Sequence, residues 1–479
     1  MPDLPDTLAK FGGRGYIVAP AGYGKTHLIA EAVGLAKARQ LVLTHTYAGV
    51  NALRRKMRER RVRDGASRVD TIASWALRLC LSYPGASGWT IERPIGAQWA
   101  SLYDTCARFL DHSFVRRILR ASYAGVYVDE YQDCSPAQHR LILALARDLP
   151  CRVLGDPLQA IFDFDAEPPV DWNVEVVAAF ENLGQLEVPQ RWIRAGEPAL
   201  GDWLRTVRQA LEAGQPIDLT VGRPHSVIYR SASGDADLLR VQGNACRYFA
   251  CDPQHRAIAI HKGNQQFKAK CHHLARNSGG RFSSIEEIEG RDLFSFVDQI
   301  ERARTNRARL KKVVEFARRC MTAVERQLTA ATIRGEAAPI RNNTRSPGVT
   351  AAANAYLAAP SSTAMAAFFA ALRSLSEVEI VRADLFFRMA GVLQKHIIRP
   401  EFTLREAAEN YHAEFRFKGR PVGRRRIIGT TLLVKGLEFD HAIVLDAVSL
   451  SRKELYVALT RGARSLTVLS CRPVLNPVE

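Results

Sequence analysis

The segment that most constrains the fold starts at Tyr16, where YIVAP runs into AGYGKT (residues 21–26) and then into HLIAEAVGLAKA. This order reads as a short buried strand, a glycine-rich turn and an amphipathic helix. Such a turn presents successive backbone N–H groups at a helix N-terminus, where unpaired amides and the helix dipole favour an anion. The stretch from Ala19 to Thr26 fits a phosphate-binding loop, with Ala19 where the strict pattern has its first glycine. In that reading Ala21, Gly22, Tyr23, Gly24 and His27 surround the phosphates of a nucleoside triphosphate, Lys25 reaches the β/γ-phosphates and Thr26 ligates Mg²⁺. An ordinary turn is the alternative, and placement between strand and helix argues against it.

A second strand ends in acids, VYVDEYQD (126–133). Asp129 there suits the Mg²⁺ shell, and Glu130 suits polarisation of an attacking water. Further apolar strands at 40–46 and 151–156 alternate with helical text, including 48–63 and VDTIASWALRLCL (69–81). The pattern predicts an α/β fold with a parallel sheet covered on both faces. From about Val221 a second α/β region appears, with strands at 226–230, 257–262, 425–431, 441–447 and 465–471. Residues 284 to about 400 read as mostly helical, broken by RNNTRSPG (341–348). The expected division is a first core over 1–190 with a small insertion at about 81–123, a second core over 191–284 and 401–479, and a helical insertion over 285–400.

Lys plus Arg number 67 against 49 Asp plus Glu, a formal charge of +18, which favours a polyanionic partner such as nucleic acid. The nine cysteines show no framework spacing and no CxxC pair. With an N-terminus unlike a secretory signal and no long apolar run, these features predict a cytoplasmic location and no membrane. Cys246, Cys251, Cys271, His272 and His273 match none of the common zinc spacings.

Together the phosphate loop and DEYQD resemble the UvrD/Rep-like branch of superfamily 1 helicases, whose magnesium motif typically reads DEFQD. Further elements follow in the family's order: THTYAGVNAL (44–53), DTIASWALRL (70–79), LGDPLQAIFDF (154–164), PQRWIRAG (189–196), TTLLVKGLEFD (430–440) and LYVALTRGA (455–463). The resemblance implies two RecA-like parallel-sheet P-loop cores with small, mostly helical insertions, ATP and Mg²⁺ between them, and single-stranded DNA across the top. It implies that Gln159 senses the γ-phosphate, that Arg191 and Arg461 act as arginine fingers from the second core, and that Glu438 approaches the ribose. It also implies strand contacts by Thr46, Tyr47, Arg54, Thr71, Trp75, Phe162, Thr430 and Lys435. The implied activity is ATP-dependent translocation or unwinding, 3′ to 5′. Compact chains of this style resemble the helicase subunits of bacterial defence operons such as the Gabija system, which implies a nuclease partner.

The departures from the family pattern carry expectations of their own. The adenine-reading Gln upstream of the loop is missing, and Gln190 stands where a base-stacking Tyr is usual, so base selectivity should be relaxed. Leu432 replaces a histidine, and Tyr47-Ala48 replaces Asn-Lys, so contacts to the strand are remodelled, with Tyr47, Trp75 and Phe162 as stacking surfaces. Basic runs at 54–63 and 416–426 adjoin these motifs, while the run at 302–319 suits a partner. A different class of function, a nucleic-acid-gated NTPase that signals without unwinding, would use the same core residues.

Overall fold

A computed structural model of the 479-residue chain describes residues 4–161, 168–285, 290–418 and 424–478. Six strands form the first sheet: β1 (Arg14–Val18), β2 (Gln40–Thr44), β3 (Ser67–Thr71), β4 (Gly125–Asp129), β5 (Cys151–Gly155) and β6 (Glu181–Gln185). They are all parallel, in the order β3-β2-β4-β5-β1-β6. β2, β4 and β5 are buried along their whole length, as apolar runs without alternation require when helices cover both faces. Two strands differ from the sequence expectation. β3 occupies the start of text expected to be helical, and the helix begins only at Ile72, where the Thr71 hydroxyl accepts a bond from the Ser74 amide at 3.0 Å. β6, ENLGQ, is an edge strand whose polar residues stay exposed or half-buried.

The stretch expected as a first insertion forms the helices Pro84–Ser87, Gln98–Phe109 and Ser113–Ser122. Trp89, Leu102, Tyr103, Cys106 and Phe109 pack into the same core as Leu41, Trp75 and Val126. This segment therefore thickens the first unit and does not stand apart as an arm.

The second sheet holds β8 (Val227–Ser231), β9 (Ala257–His261), β10 (Ser283–Ser284), β11 (Arg426–Thr430), β12 (Phe439–Val444) and β13 (Gly462–Ser470). The order is β10-β11-β9-β12-β13-β8, again parallel, beside a small antiparallel pair of β7 (Ile217–Asp218) and β14 (Val474–Leu475). Two sheets of this kind are the two RecA-like cores that the motif order implies. β10 and β11 are neighbours although about 140 residues of mostly helical chain lie between them. That helical stretch has its own core, in which Phe296 and Phe316 stack at 4.2 Å between ring centroids with Phe368, Phe369 and Phe386 beside them. The polar break expected at 341–348 follows the helix Ala330–Ile333 and ends in the first turn of the helix Pro347–Ala358.

A third apolar cluster joins the two units. Ala21 and Tyr23 of the phosphate loop, Leu158 after β5 and Trp192 pack with Leu455, Tyr456 and Leu459 of the helix Arg452–Leu459. This contact brings the ends of β1, β4 and β5 against the second unit and makes the walls of one cleft.

Candidate nucleotide cleft between the two sheets

The loop after β1 is shaped by two left-handed glycines, Gly22 (φ 78°) and Gly24 (φ 99°). A Cβ on Gly22 would also stand 2.9 Å from the Trp192 ring and 3.1 Å from the Arg191 Cβ, so no larger residue fits. Lys25 opens the helix Lys25–Leu35, and its Nζ lies 3.0 Å from Asp129 Oδ1 and 2.6 Å from Glu130 Oε2. Burial disfavours its charge, but the two carboxylates outweigh burial and raise its pKa.

Glu130 follows β4 in a left-handed conformation (φ 59°) that non-glycine residues rarely adopt and that recurs at functional sites. Its carboxylate accepts a bond from the Gln132 side-chain amide at 2.7 Å. Burial pushes its pKa up, yet Lys25 and Lys435 prevail and bring it down to about 2, so Glu130 stays ionised. Asp129 moves the other way, pushed up by burial and by the Glu130 charge against the pull of Lys25.

The second wall brings arginines to these acids. Arg461 is almost fully buried; its Nη2 donates to Gln159 Oε1 at 3.2 Å, while Nε and Nη1 donate to the carbonyls of Val457 and Leu437. Burial lowers its pKa to about 10, which leaves the guanidinium charged at neutral pH. The Arg191 amide donates to the Gly22 carbonyl at 2.9 Å, and its guanidinium donates to the Thr460 carbonyl at 2.5 Å and pairs with Glu438. Arg191 holds the Glu438 carboxyl below the usual range. The cleft thus gathers Lys25, Asp129, Glu130, Gln159, Arg191, Arg461 and Glu438. Cations converging beside one ionised carboxylate can neutralise a transferring phosphoryl group and polarise a water.

Thr26, next to Lys25 in the chain, and Asp129, which meets the Lys25 ammonium, are a hydroxyl and a carboxylate, oxygen donors of the kind that fits a hard divalent cation such as Mg²⁺. His27 is engaged elsewhere, 3.3 Å from Glu31 and 3.2 Å from the Arg60 Nε. Burial and the neighbouring arginines lower its pKa, against Glu31.

Lys435, expected at the strand, and three residues that sequence reasoning leaves without a role, Asp133, Asp156 and Arg208, tie the walls together. Lys435 of the second unit pairs with Asp133 and donates to the Gln159 carbonyl. Burial pushes Asp133 up to about 6 despite this partner, helped by the Glu130 charge, and burial lowers Lys435. The Gln132 side-chain oxygen accepts from the Asp156 amide at 3.0 Å. Asp156 in turn meets Arg208 and the phosphate loop. Asp133 and Asp156 lie inside the recognised motifs, whereas the signal for Arg208 is a lone arginine on the apolar face set by Leu204, Val207 and Leu211.

The residues expected to hold a strand divide. Thr46, which caps the helix Tyr47–Glu59, and Arg54 are exposed, and Tyr47 is half-buried against Ser74. Trp75, in contrast, is a core residue and offers no stacking face, because the helix Ile72–Ser82 turns it towards the first sheet. Thr71 is buried as a helix cap, Thr430 is buried at the end of β11, and Lys435 is buried in its cross-cleft pair. Phe162 and residues 419–423 of the third basic run lie outside the described residues. In the run at 302–319, Arg307, Lys312, Arg318 and Arg319 pair with Glu336, Glu315, Glu325 and Glu315. Among the described residues no three His, Cys, Asp or Glu side chains form a metal-holding group, and no helix is long and apolar enough to cross a membrane.

Residues 96–169 match the family model of the UvrD/REP helicase N-terminal domain, so the stretch carrying DEYQD and GDPLQ is helicase-like in sequence. No curated protein matches the chain. Among solved structures, the arterivirus nonstructural protein 10 helicase with DNA aligns at 14% identity over 54% of this chain and 49% of that one (TM-score 0.27). The Bacteroides Pif1 helicase with ADP-AlF3 and ssDNA aligns at 12% identity over 55% and 52% (TM-score 0.28). The Candida albicans Pif1 helicase aligns at 11% identity over 98% and 94% (TM-score 0.38). The chain thus spans about half the length of the first two.

Proposed function

We propose that this chain is an ATP-driven motor of UvrD/Rep type that moves on single-stranded DNA. The observation that carries the reading is the chain of contacts that joins Lys25, Asp129 and Glu130 through Gln132 and Asp156 to Gln159 on one wall, and Gln159 to Arg461 across the cleft. In this reading the loop at 21–27 binds the triphosphate and Lys25 neutralises it. Thr26 and Asp129 would hold Mg²⁺, which supplies charge neutralisation at the phosphates when bound. Glu130 takes the proton from the attacking water, Gln159 orients that water, and Arg191 and Arg461 stabilise the charge that builds on the phosphoryl group, with Glu438 near the ribose. Movement 3′ to 5′, a nuclease partner and a place in bacterial anti-phage defence rest on the motif resemblance.

ATP hydrolysis measured with and without a single-stranded oligonucleotide, beside displacement of a strand from a 3′-tailed duplex, tests the reading. Hydrolysis stimulated by the oligonucleotide and abolished in Glu130→Gln supports it, and absence of hydrolysis in both conditions overturns it. One observation favours a gated NTPase that leaves unwinding to a partner: the helices at 84–122 are packed into the first core, which leaves no separate arm there to grip duplex. Stimulated hydrolysis without strand displacement would select that second reading.

A further inference from the structure

Beneath the phosphate loop lies a buried charge pair that none of the roles above uses. Asp156, at the end of β5, is fully buried, and Arg208, on the helix Pro198–Glu212 of the second unit, is 4% exposed. Arg208 Nη1 donates to Asp156 Oδ1 at 2.7 Å and to the Tyr456 hydroxyl at 2.9 Å. The other carboxylate oxygen of Asp156 accepts from the Ala21 amide at 3.1 Å and from the Gln159 side-chain amide at 2.9 Å. The Tyr456 hydroxyl also lies 3.3 Å from the Ala21 amide. One carboxylate therefore holds a phosphate-loop amide, the side chain of Gln159 and a guanidinium from the opposite unit.

The arrangement has a directional consequence. A buried carboxylate needs a paired cation, and the one Asp156 has comes from across the cleft. When the units are docked, Arg208 fixes the carboxylate, and the carboxylate fixes both the loop at Ala21 and the face of Gln159 that meets Arg461. When the units separate, Asp156 loses its counter-charge, and the loop and Gln159 lose a common anchor. The helix carrying Arg208 begins seven residues after Arg191, so the same segment delivers Arg191 and the pair.

We propose that Arg208 is a positioning residue that couples docking of the second unit to the shape of the phosphate loop and the orientation of Gln159, through Asp156 and Tyr456. The proposal rests on the ATPase reading above, and it predicts a loss in turnover with nucleotide binding retained.

The test uses the full chain, with steady-state ATP hydrolysis in saturating oligonucleotide, equilibrium binding of a fluorescent ATP analogue, and thermal unfolding. Arg208→Gln should lower kcat on the order of 10-fold or more and change the analogue Kd by less than about threefold, with Arg208→Lys intermediate because it restores charge without the fork. Should Arg208→Gln fail to fold with Asp156 unpaired, the double variant Arg208→Gln/Asp156→Asn, which buries no lone charge, carries the measurement. It should fold and remain slow, because neither amide restores the anchor. Wild-type kcat in folded Arg208→Gln or in the double variant overturns the proposal while the ATPase reading stands. A kcat unchanged with only Kd raised also overturns it. A wild-type chain without hydrolysis removes the ATPase reading, and the proposal with it.

Discussion

On the phosphate-loop side of the cleft, Lys25, Asp129, Glu130, Gln159 and Arg461 are joined, through Gln132 and Asp156, in one chain of contacts, whereas on the side expected to carry a strand Thr71, Trp75, Thr430 and the Lys435 side chain are buried. The difference follows from what each chemistry demands. Charge placed for phosphoryl transfer must be held by other charges in a dry site, so its residue types and spacing are narrow. A strand can be gripped by any exposed cation or aromatic, so family motifs name positions there more firmly than they name contacts.

The largest expected effect lies on the phosphate side. Arg461→Ala should lower kcat by a factor on the order of 10³, the low end for an arginine finger. Glu130→Gln should lower it on the order of 10² while ATP still binds, because a general base contributes at least that much. Stopped-flow phosphate release with a parallel nucleotide-binding titration measures both. Near-normal turnover in either variant would erase the contrast between the two sides.

Tyr47 and Trp75 set up the next comparison, since their motifs assign them the same role. Tyr47→Ala should weaken oligonucleotide binding by roughly 1–3 kcal/mol with folding retained, if it stacks on a base. Trp75→Ala should instead cost roughly 3–5 kcal/mol of stability, as loss of a buried aromatic does. Fluorescence anisotropy beside denaturant unfolding separates them, and a binding defect in folded Trp75→Ala would restore it as a contact.

What the sequence makes legible follows the same division. β1, β2, β4, β5, β9, β11 and β12 are buried apolar runs and are readable as strands, whereas SRVDT and ENLGQ carry too few apolar residues to announce β3 and β6. The acids of DEYQD and the arginines of PQRW and ALTRG are readable because spacing defines them. Asp156, Arg208 and Tyr456 are not, because their significance lies in a pairing across 248 residues of chain between Arg208 and Tyr456 and across the cleft to Asp156. Burial of Trp75 is equally hidden, since a tryptophan on a helix looks the same in sequence whichever way the helix is rotated.

The cations of the helix Tyr47–Glu59, with Arg54 and Arg55 exposed and Lys56 half-buried, give a finer measure of the strand side. Replacing Arg54, Arg55 and Lys56 by Ala should flatten the dependence of log affinity on log salt by roughly 0.7 for each single-strand phosphate that is no longer neutralised. Lys56 and Arg55 already lean on Glu59, and Arg54 donates to the Val69 carbonyl at 2.9 Å, so the measured change should fall short of three full phosphates. An unchanged slope would move the track off this helix.

The pH profile couples the two sides through Asp133 and Lys435. Asp133 is raised from its ordinary 3.8 to about 6, so its ionised form, which pairs with Lys435, is complete only above pH 6. Turnover should therefore fall several-fold as pH drops through about 6, with the limb belonging to the cluster as a whole. Stability should run the other way for this group. The folded chain holds the proton more tightly than the unfolded one, so its contribution is greatest below pH 3.8 and is lost as pH rises to about 6. Asp133→Asn should remove the limb near 6, and a limb that persists there unchanged would assign it to another group. Glu130, held down at about 2, does not titrate in that window.

The smallest expected effect separates the two ends of the nucleotide itself. The phosphate end of the site is crowded with fixed charge, but at the base end the motif resemblance leads to the expectation of relaxed selectivity. Gln190, at the position the resemblance assigns to stacking, has its Cγ 3.7 Å from where a Cβ on Gly24 would stand. His27, just after Thr26, is held by Glu31 and Arg60 and is not available as a substitute without breaking that cluster. Rejection of the wrong base needs buried donors and acceptors that are left unpaired by it, and a site lacking them discriminates weakly. GTP should thus support hydrolysis with kcat/KM within about an order of magnitude of ATP, as a purely apolar or solvent-exposed base site allows. Competition between the two at equal concentration is the measurement, and Gln190→Tyr is the variant that sharpens it. Restoring an aromatic should tighten both nucleotides alike, since stacking distinguishes purines poorly. A strict ATP preference in the unmodified chain would mean that the base end is as specified as the phosphate end, by residues outside the recognised motifs.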